Sequence, residues 1–286
     1  MTRALSLAAL TALELSPPEL VSTAAAAGYS HVGLRLIPAT PTEPQHAMIG
    51  DTPVVRETRA RLDATGVQVL DVEIFRLKPD TDVARDAQGI VETGARLGAK
   101  HLLVAGNDPD EARLTDNFAA LCDLAARHGI APQLEFMAWT DAKDLAQAAR
   151  IVERAGRANG GILVDAFHLS RSRSRIEDIA RLPASRFRYA QLCDVPAAIP
   201  PTLDAILAEA RAERRFPGEG ELDLVGLVRA LPRGLPLSLE VPTLKLARTV
   251  PALERARRAL AGARRVLAQA EGLDATSPAG ALAAQR

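Results

Sequence analysis

The chain has 286 residues, and its 35 Lys and Arg balance 35 Asp and Glu to a formal charge of zero. No overall basic field exists to hold a phosphate backbone, which argues against a nucleic-acid binder. With 48% hydrophobic and 24% charged residues the composition suits a globular protein with a core, and disorder of the whole chain is excluded.

From the N-terminus, Arg3 followed by the apolar run 4–13 imitates a secretion signal, but Glu14 and Pro17-Pro18 interrupt it and the run reads as a first strand. Apolar runs rich in Val, Ile and Leu then recur, at 5–10, 31–36, 67–75, 101–105, 132–136, 161–167, 187–192 and 235–241. Between them lie segments of helical periodicity at 18–27, 53–65, 83–97, 112–128, 142–155, 176–180, 203–214 and 222–230, so strand and helix alternate throughout. Ser16 before Pro17-Pro18-Glu19 and Asp51-Thr52-Pro53 are helix-start signals, and Gly28, Gly66, Gly98, Gly129 and Gly156 sit where helices should end.

Continuous apolar strands fit a parallel sheet covered on both faces. Eight units can close into a barrel or lie open; no Gly-x-Gly-x-x-Gly follows the first strand, and Gly218-Glu219-Gly220 comes too late for a dinucleotide fold, so a (β/α)8 TIM barrel is expected over 1–249. An Ala-rich helix over 250–271 should pack on the barrel or on a partner chain, leaving a homo-oligomer open, with Arg255, Arg257, Arg258, Arg264 and Arg265 on exposed faces. Residues 272–286 are expected to form a flexible tail. Cys122 and Cys193 lie in no metal-ligand spacing and point to a reducing compartment. No run reaches the roughly 18 apolar residues of a membrane span, so a soluble cytoplasmic protein with no nucleic-acid or membrane partner is expected.

In such a barrel the chemistry sits at the carboxyl ends of the strands. There the last four runs place Glu135, Asp165 with His168, Gln191 with Asp194, and Glu240. Buried carboxylates need a partner or a cation, and the sequence shows no matching set of buried bases. Three carboxylates and an amide oxygen are hard ligands that suit one divalent ion, Mg²⁺ or Mn²⁺ before Zn²⁺ or Co²⁺.

Over 5–246 this order and spacing resembles the xylose isomerase-like barrels, the sugar phosphate isomerases and epimerases. The resemblance implies that Glu135, Asp165, Gln191 and Glu240 hold the metal, that Glu135, Glu240 and His168 are catalytic, and that Arg214, in Arg214-Arg215-Phe216-Pro217-Gly218-Glu219-Gly220, binds substrate. Gln191 departs from the family's usual His and is shared with the related 3-dehydroshikimate dehydratases. The expected function is isomerisation or epimerisation of a small sugar or polyhydroxy carbonyl compound through a metal-bound enediolate. Two alternatives are a dehydratase-like lyase, which needs Arg35, Arg76 or Arg214 for a substrate carboxylate, and a barrel that binds a metabolite without turning it over. Glu73, Arg76, Asn107, Asp194 and Trp139 are further candidates for contact with a small-molecule substrate, with a salt bridge, a turn or loop packing as the plainer roles.

Overall fold

The computed structural model describes residues 3–272. In chain order its strands and helices are β1 (Leu5–Leu7), α1 (Pro17–Ala27), β2 (His31–Arg35), α2 (Pro53–Thr65), β3 (Gln68–Leu77), α3 (Val83–Asp86), α4 (Gln88–Leu97), β4 (His101–Gly106), α5 (Glu111–Ala126) and β5 (Ala131–Glu135). The second half continues with α6 (Leu145–Ala155), β6 (Gly161–Asp165), α7 (Ala166–Arg171), α8 (Ile176–Ile179), β7 (Ala190–Leu192), α9 (Leu203–Ala212), α10 (Leu224–Ala230), β8 (Leu237–Leu239), α11 (Leu244–Ala247) and α12 (Ala252–Ala270). Each strand pairs in parallel with the next, and β8 returns to β1 with Leu5 opposite Leu237, closing the barrel.

The eight expected strands are all present, and the differences are local. The run expected as a strand over 161–167 stops at Asp165, whose carboxylate accepts the His168 N–H at 3.0 Å and so caps α7. A carboxylate at that position satisfies an otherwise unpaired amide and starts a helix. The first run likewise ends at Leu7 and turns into a 3-10 segment over Ala9–Ala12, and the helix expected over 83–97 breaks at Ala87. Thr52 caps α2 by accepting the Val55 N–H at 3.3 Å, and all five helix-end glycines carry positive φ.

One apolar layer lies between the sheet and its helices. A smaller one, including Leu70, Leu103, Leu163 and Tyr189, fills the barrel interior. That interior also holds Asp71, which fits because β2 carries Gly33 beside it: a Cβ there would stand 2.9 Å from the Asp71 Oδ1. Helix α12 packs against α1, α10 and the turn after β1. Its arginines are not all on exposed faces as expected. Arg257, Arg258 and Arg265 are exposed and Arg264 half-buried, but Arg255 is buried, its guanidinium donating to the Thr11 carbonyl at 2.7 Å and pairing with Glu14. Among the described residues no helix is long and apolar enough to cross a membrane. The expected tail over 272–286 lies, apart from Gly272, outside the described residues.

Candidate active site

The strand ends bring the expected acids together at one mouth of the barrel. Glu135, His168, Arg214 and Glu240 line a single pocket with Arg35, Glu73, Arg76 and Trp139. Asp165 and Gln191 do not line it; they are partners in register on β6 and β7 and reach two lining residues, Arg214 and Glu240. The Asp165 Oδ2 accepts from the Arg214 Nη1 at 2.9 Å, and the same nitrogen stands 3.1 Å from the Glu240 Oε2. The other Glu240 oxygen accepts from the Gln191 Nε2 at 3.2 Å. Glu135 lies 3.8 Å, Oε1 to Nε2, from His168.

This corrects the expectation that no buried base matches these acids. Arg214 is buried among them, and burial does not neutralise it because Asp165, Cys193 and Glu240 favour its charge. Its guanidinium also sits 4.8 Å from the centre of the Phe167 ring. Arg35, half-buried, is the second base, donating to the Glu73 Oε1 at 3.2 Å and the Glu43 Oε2 at 2.8 Å. These links join residues 38 and 49 positions apart, a distance over which local spacing carries no signal.

The two arginines do not discharge the site. Burial first, and then Glu240 and Asp165, hold the Glu135 carboxyl well above the usual range. Burial pushes the Glu240 carboxyl up to about 7 against the opposing pull of Arg214. Burial drives His168 down to about 3, so its imidazole is neutral at ordinary pH. The Glu135 Oε1, the Gln191 Oε1 and the His168 Nδ1 are buried with no hydrogen-bond partner. Unpaired buried acceptors of this kind are costly unless something positive meets them. Among the described residues no three His, Cys, Asp or Glu side chains are already drawn together tightly enough to grip an ion. The donor set, two orphaned oxygens beside two carboxylates shared with one guanidinium, nevertheless fits a hard divalent cation, with Arg214 yielding part of its hold on Asp165 and Glu240.

On the substrate side, Glu73 pairs with Arg35 and not with Arg76. Arg76 donates to the Asn107 Oδ1 at 3.0 Å, so Asn107 braces Arg76 from behind. Among the described residues no carboxylate pairs with Arg76; burial and then the like charges of Arg35 and Arg211 pull it below its usual basicity. The Trp139 ring meets the His168 ring edge-on at 5.0 Å between centroids and walls the pocket. Asp194 does not fill its expected role. Its carboxylate accepts the N–H groups of Val195, Gly218 and Leu222 at 2.9, 3.0 and 3.1 Å, so it folds the loop after β7 and neither orients Arg214 nor faces the pocket. Cys193 is buried under Arg214, and burial raises its thiol far above the range of a nucleophile. Two pocket residues carry no local signal in the sequence: Glu43, on the long connection after β2, and Arg211, near the end of α9.

A family model described as a xylose isomerase-like TIM barrel matches residues 21–266. Among curated proteins the chain is 34% identical over 155 residues to the 3-dehydroshikimate dehydratase of Pseudomonas aeruginosa, spanning 51% of this chain and 24% of that protein. It is 30% identical over 154 residues to the 3-dehydroshikimate dehydratase of Pseudomonas putida, again spanning 51% and 24%. The chain thus covers about a quarter of the length of these relatives. Similar solved structures include a xylose isomerase-like TIM barrel/4-hydroxyphenylpyruvate dioxygenase fusion protein, with TM-score 0.76, 23% identity and coverage of 94% of this chain and 43% of that one. The IolI protein with a bound zinc atom gives 0.75 at 18% identity, covering 93% and 98%. The D-allulose 3-epimerase of Methylomonas sp., in complex with D-allulose, gives 0.67 at 17%, also covering 93% and 98%. At these identities the structural likenesses speak for the fold.

Proposed function

Because the chain belongs to the xylose isomerase-like TIM barrel family, we propose that it is a divalent-metal-dependent lyase that removes water from a cyclic hydroxy keto acid of the 3-dehydroshikimate kind. The observation that carries this reading is Arg76. Four arginines line the pocket as candidate partners for a substrate carboxylate, and two of them are engaged: Arg35 by Glu43 and Glu73, Arg214 by Asp165 and Glu240. Arg76 faces the same pocket with only the Asn107 amide oxygen against it, and Arg211 stands nearby. A half-buried guanidinium with no carboxylate paired to it is a receptor for an anionic ligand. The names of the curated relatives and the glutamine at 191 support the same choice.

Glu135, Asp165, Gln191 and Glu240 would hold the ion, which when bound supplies Lewis acidity toward the substrate carbonyl oxygen. The chain's own residues then carry the proton traffic. Arg76 fixes the carboxylate and so sets the ring over Glu135 and His168. Neutral His168, its Nδ1 unpartnered and its ring held by Trp139, is the base that takes the proton from the carbon next to the carbonyl. His168, now protonated, gives that proton to the hydroxyl on the following carbon, and water leaves, while Glu240 stays ionised to hold the ion. The proton taken is the proton given, so His168 ends neutral and the site returns to its starting charge.

A second reading, isomerisation or epimerisation of a small sugar, is favoured by the pairing of Glu135 and Glu240. Both are carboxyls raised by burial, and they line one pocket from β5 and from the end of β8. In that case one removes and the other returns a proton at a single carbon. The test is the aromatic absorbance that grows as 3-dehydroshikimate loses water, measured with Mg²⁺- or Mn²⁺-loaded protein. Growth of the absorbance supports the lyase. No growth from a protein that binds Mn²⁺, together with solvent deuterium entering a ketose, establishes the second reading in its place.

A further inference from the structure

The loop after β1 and the helix outside the eightfold repeat meet behind one site residue. Thr11, buried in the 3-10 segment Ala9–Ala12, donates its hydroxyl hydrogen to the Leu239 carbonyl at 2.7 Å and accepts the Val241 N–H at 2.8 Å. Those two groups are the backbone neighbours of Glu240 on either side. β8 is only three residues long and ends at Leu239, so Glu240 lies just beyond regular strand pairing. Its own N–H goes to the Leu192 carbonyl at 3.1 Å, its carbonyl accepts from the Arg214 Nη1 at 3.4 Å, and from the opposite neighbour Thr11, with the Ala8 N–H, holds the backbone groups on either side. Thr11 is itself held. Its carbonyl accepts from the Arg255 Nη1 at 2.7 Å, while the Arg255 Nε donates to the Val250 carbonyl at 3.2 Å and the other nitrogen pairs with Glu14.

We propose that Thr11 is a positioning residue for Glu240 and that α12, through Arg255, is the brace that sets Thr11. The inference rests on the metal-holding role given to Glu240 above. A hydroxyl that both donates and accepts can satisfy the carbonyl before a residue and the amide after it at once, which fixes the direction in which the intervening side chain leaves the backbone. A hydrophobic side chain of the same shape leaves the Val241 N–H unpaired in a dry site and the Leu239 carbonyl with only the Ala8 N–H, at 3.2 Å. Arg255, buried at 2% exposure in a helix of otherwise exposed or half-buried arginines, then has a reason to be inside: it transmits the placement of α12 to the mouth of the barrel.

The experiment compares the parent with Thr11→Val, which keeps shape and loses the hydroxyl, and Thr11→Ser, which keeps the hydroxyl. Mn²⁺ affinity is read by calorimetry on substrate-free protein, kcat and KM are read separately, and both variants are studied well below their unfolding temperatures. Thr11→Val is expected to weaken Mn²⁺ binding by about tenfold and to lower kcat at nearly constant KM, in line with losses seen when groups that orient metal ligands are removed. Thr11→Ser is expected to restore both. Parent-like Mn²⁺ affinity and kcat in Thr11→Val, or equal loss in Thr11→Ser, overturns the proposal and leaves Thr11 a packing residue. A parent that binds no Mn²⁺ sinks the metal reading instead. The positioning role is then decided by crystal structures: a Glu240 carboxylate displaced from Arg214 in Thr11→Val supports it, and superimposable side chains refute it.

Discussion

Replacing Arg214 with Met tests whether its guanidinium is the cation that this site uses before a metal does. The side chain is 3% exposed, donates to Asp165 at 2.9 Å, stands 3.1 Å from Glu240, and also donates to the Ala210 carbonyl at 2.9 Å. Met keeps much of the volume and the contact with Phe167, so packing loss is small. What remains is the cost of leaving two buried carboxylates without their partner, about 3–5 kcal/mol for a broken buried pair. At about 2–4 °C per kcal/mol for a domain of this size, the Tm of metal-free protein should fall by about 10 °C. The value of about 7 for Glu240 holds in the parent, against the pull of Arg214; without Arg214 the carboxyl rises further and takes up a proton more readily, which softens the loss, so the fall in Tm should be smaller at pH 6 than at pH 8. Adding Mn²⁺ provides the decisive contrast. In the parent the ion must share Asp165 and Glu240 with Arg214; in Arg214→Met it meets them uncompensated, so Mn²⁺ should raise the Tm of the variant by more than it raises that of the parent. Equal Mn²⁺ shifts in the two proteins, or an unchanged Tm without metal, refutes the reasoning.

Arg76→Met should raise KM for a carboxylate substrate by about 10- to 100-fold, the worth of a charge-assisted contact, with a smaller change in kcat; unchanged steady-state kinetics removes Arg76 from substrate binding. Glu240→Gln should abolish turnover and weaken Mn²⁺ binding, while Asn107→Ala, which loosens Arg76 without removing it, should be mild; turnover by Glu240→Gln at the parent rate refutes its role. Mn²⁺ affinity should depend on pH with a definite sign. Glu135 and Glu240 are raised by burial and must lose their protons to bind a cation, so the apparent Kd should fall by at least about tenfold per pH unit as the pH rises toward the value of about 7 at which Glu240 ionises. Calorimetry between pH 5.5 and 8 reads this directly, and a flat profile contradicts it.

The barrel and the strand ends were legible because each rests on a short-range signal. Apolar runs, glycines with positive φ and a capping threonine are read within a few residues of one another, and in a parallel barrel the end of every strand faces the same mouth. Naming which residues end the strands therefore finds the cluster at the mouth: Glu135 and Glu240 line the pocket, and Asp165 and Gln191 lie against its Arg214 and Glu240. What stayed hidden depends on pairs remote in the chain. Arg214 belongs to Asp165 and Glu240, and Asp194 to the amides of Val195, Gly218 and Leu222. Nothing in the local pattern distinguishes a carboxylate that faces a pocket from one that folds a loop. The same limit explains Arg255. On a helical wheel it is one more arginine in a basic stretch, and only the approach of the β1 loop from 244 positions away turns it inward.

That division has a consequence for how such a site can change its chemistry. The residues readable from spacing are the ones a barrel of this kind uses to hold charge at its mouth. The residues proposed to choose a substrate, Arg76 with Asn107, and Arg211 near the end of α9, come from the loops and strand ends of different units; Arg76 and Asn107 stand out in the sequence only as polar groups at strand ends, and Arg211 not at all. A carboxylate-bearing ring needs an unpaired guanidinium at the rim; a neutral sugar does not, and would gain nothing from it. The charge state of Arg76 relative to its neighbours, and not the acids at the strand ends, is therefore where a lyase acting on a keto acid and an epimerase acting on a ketose should part company on the same frame.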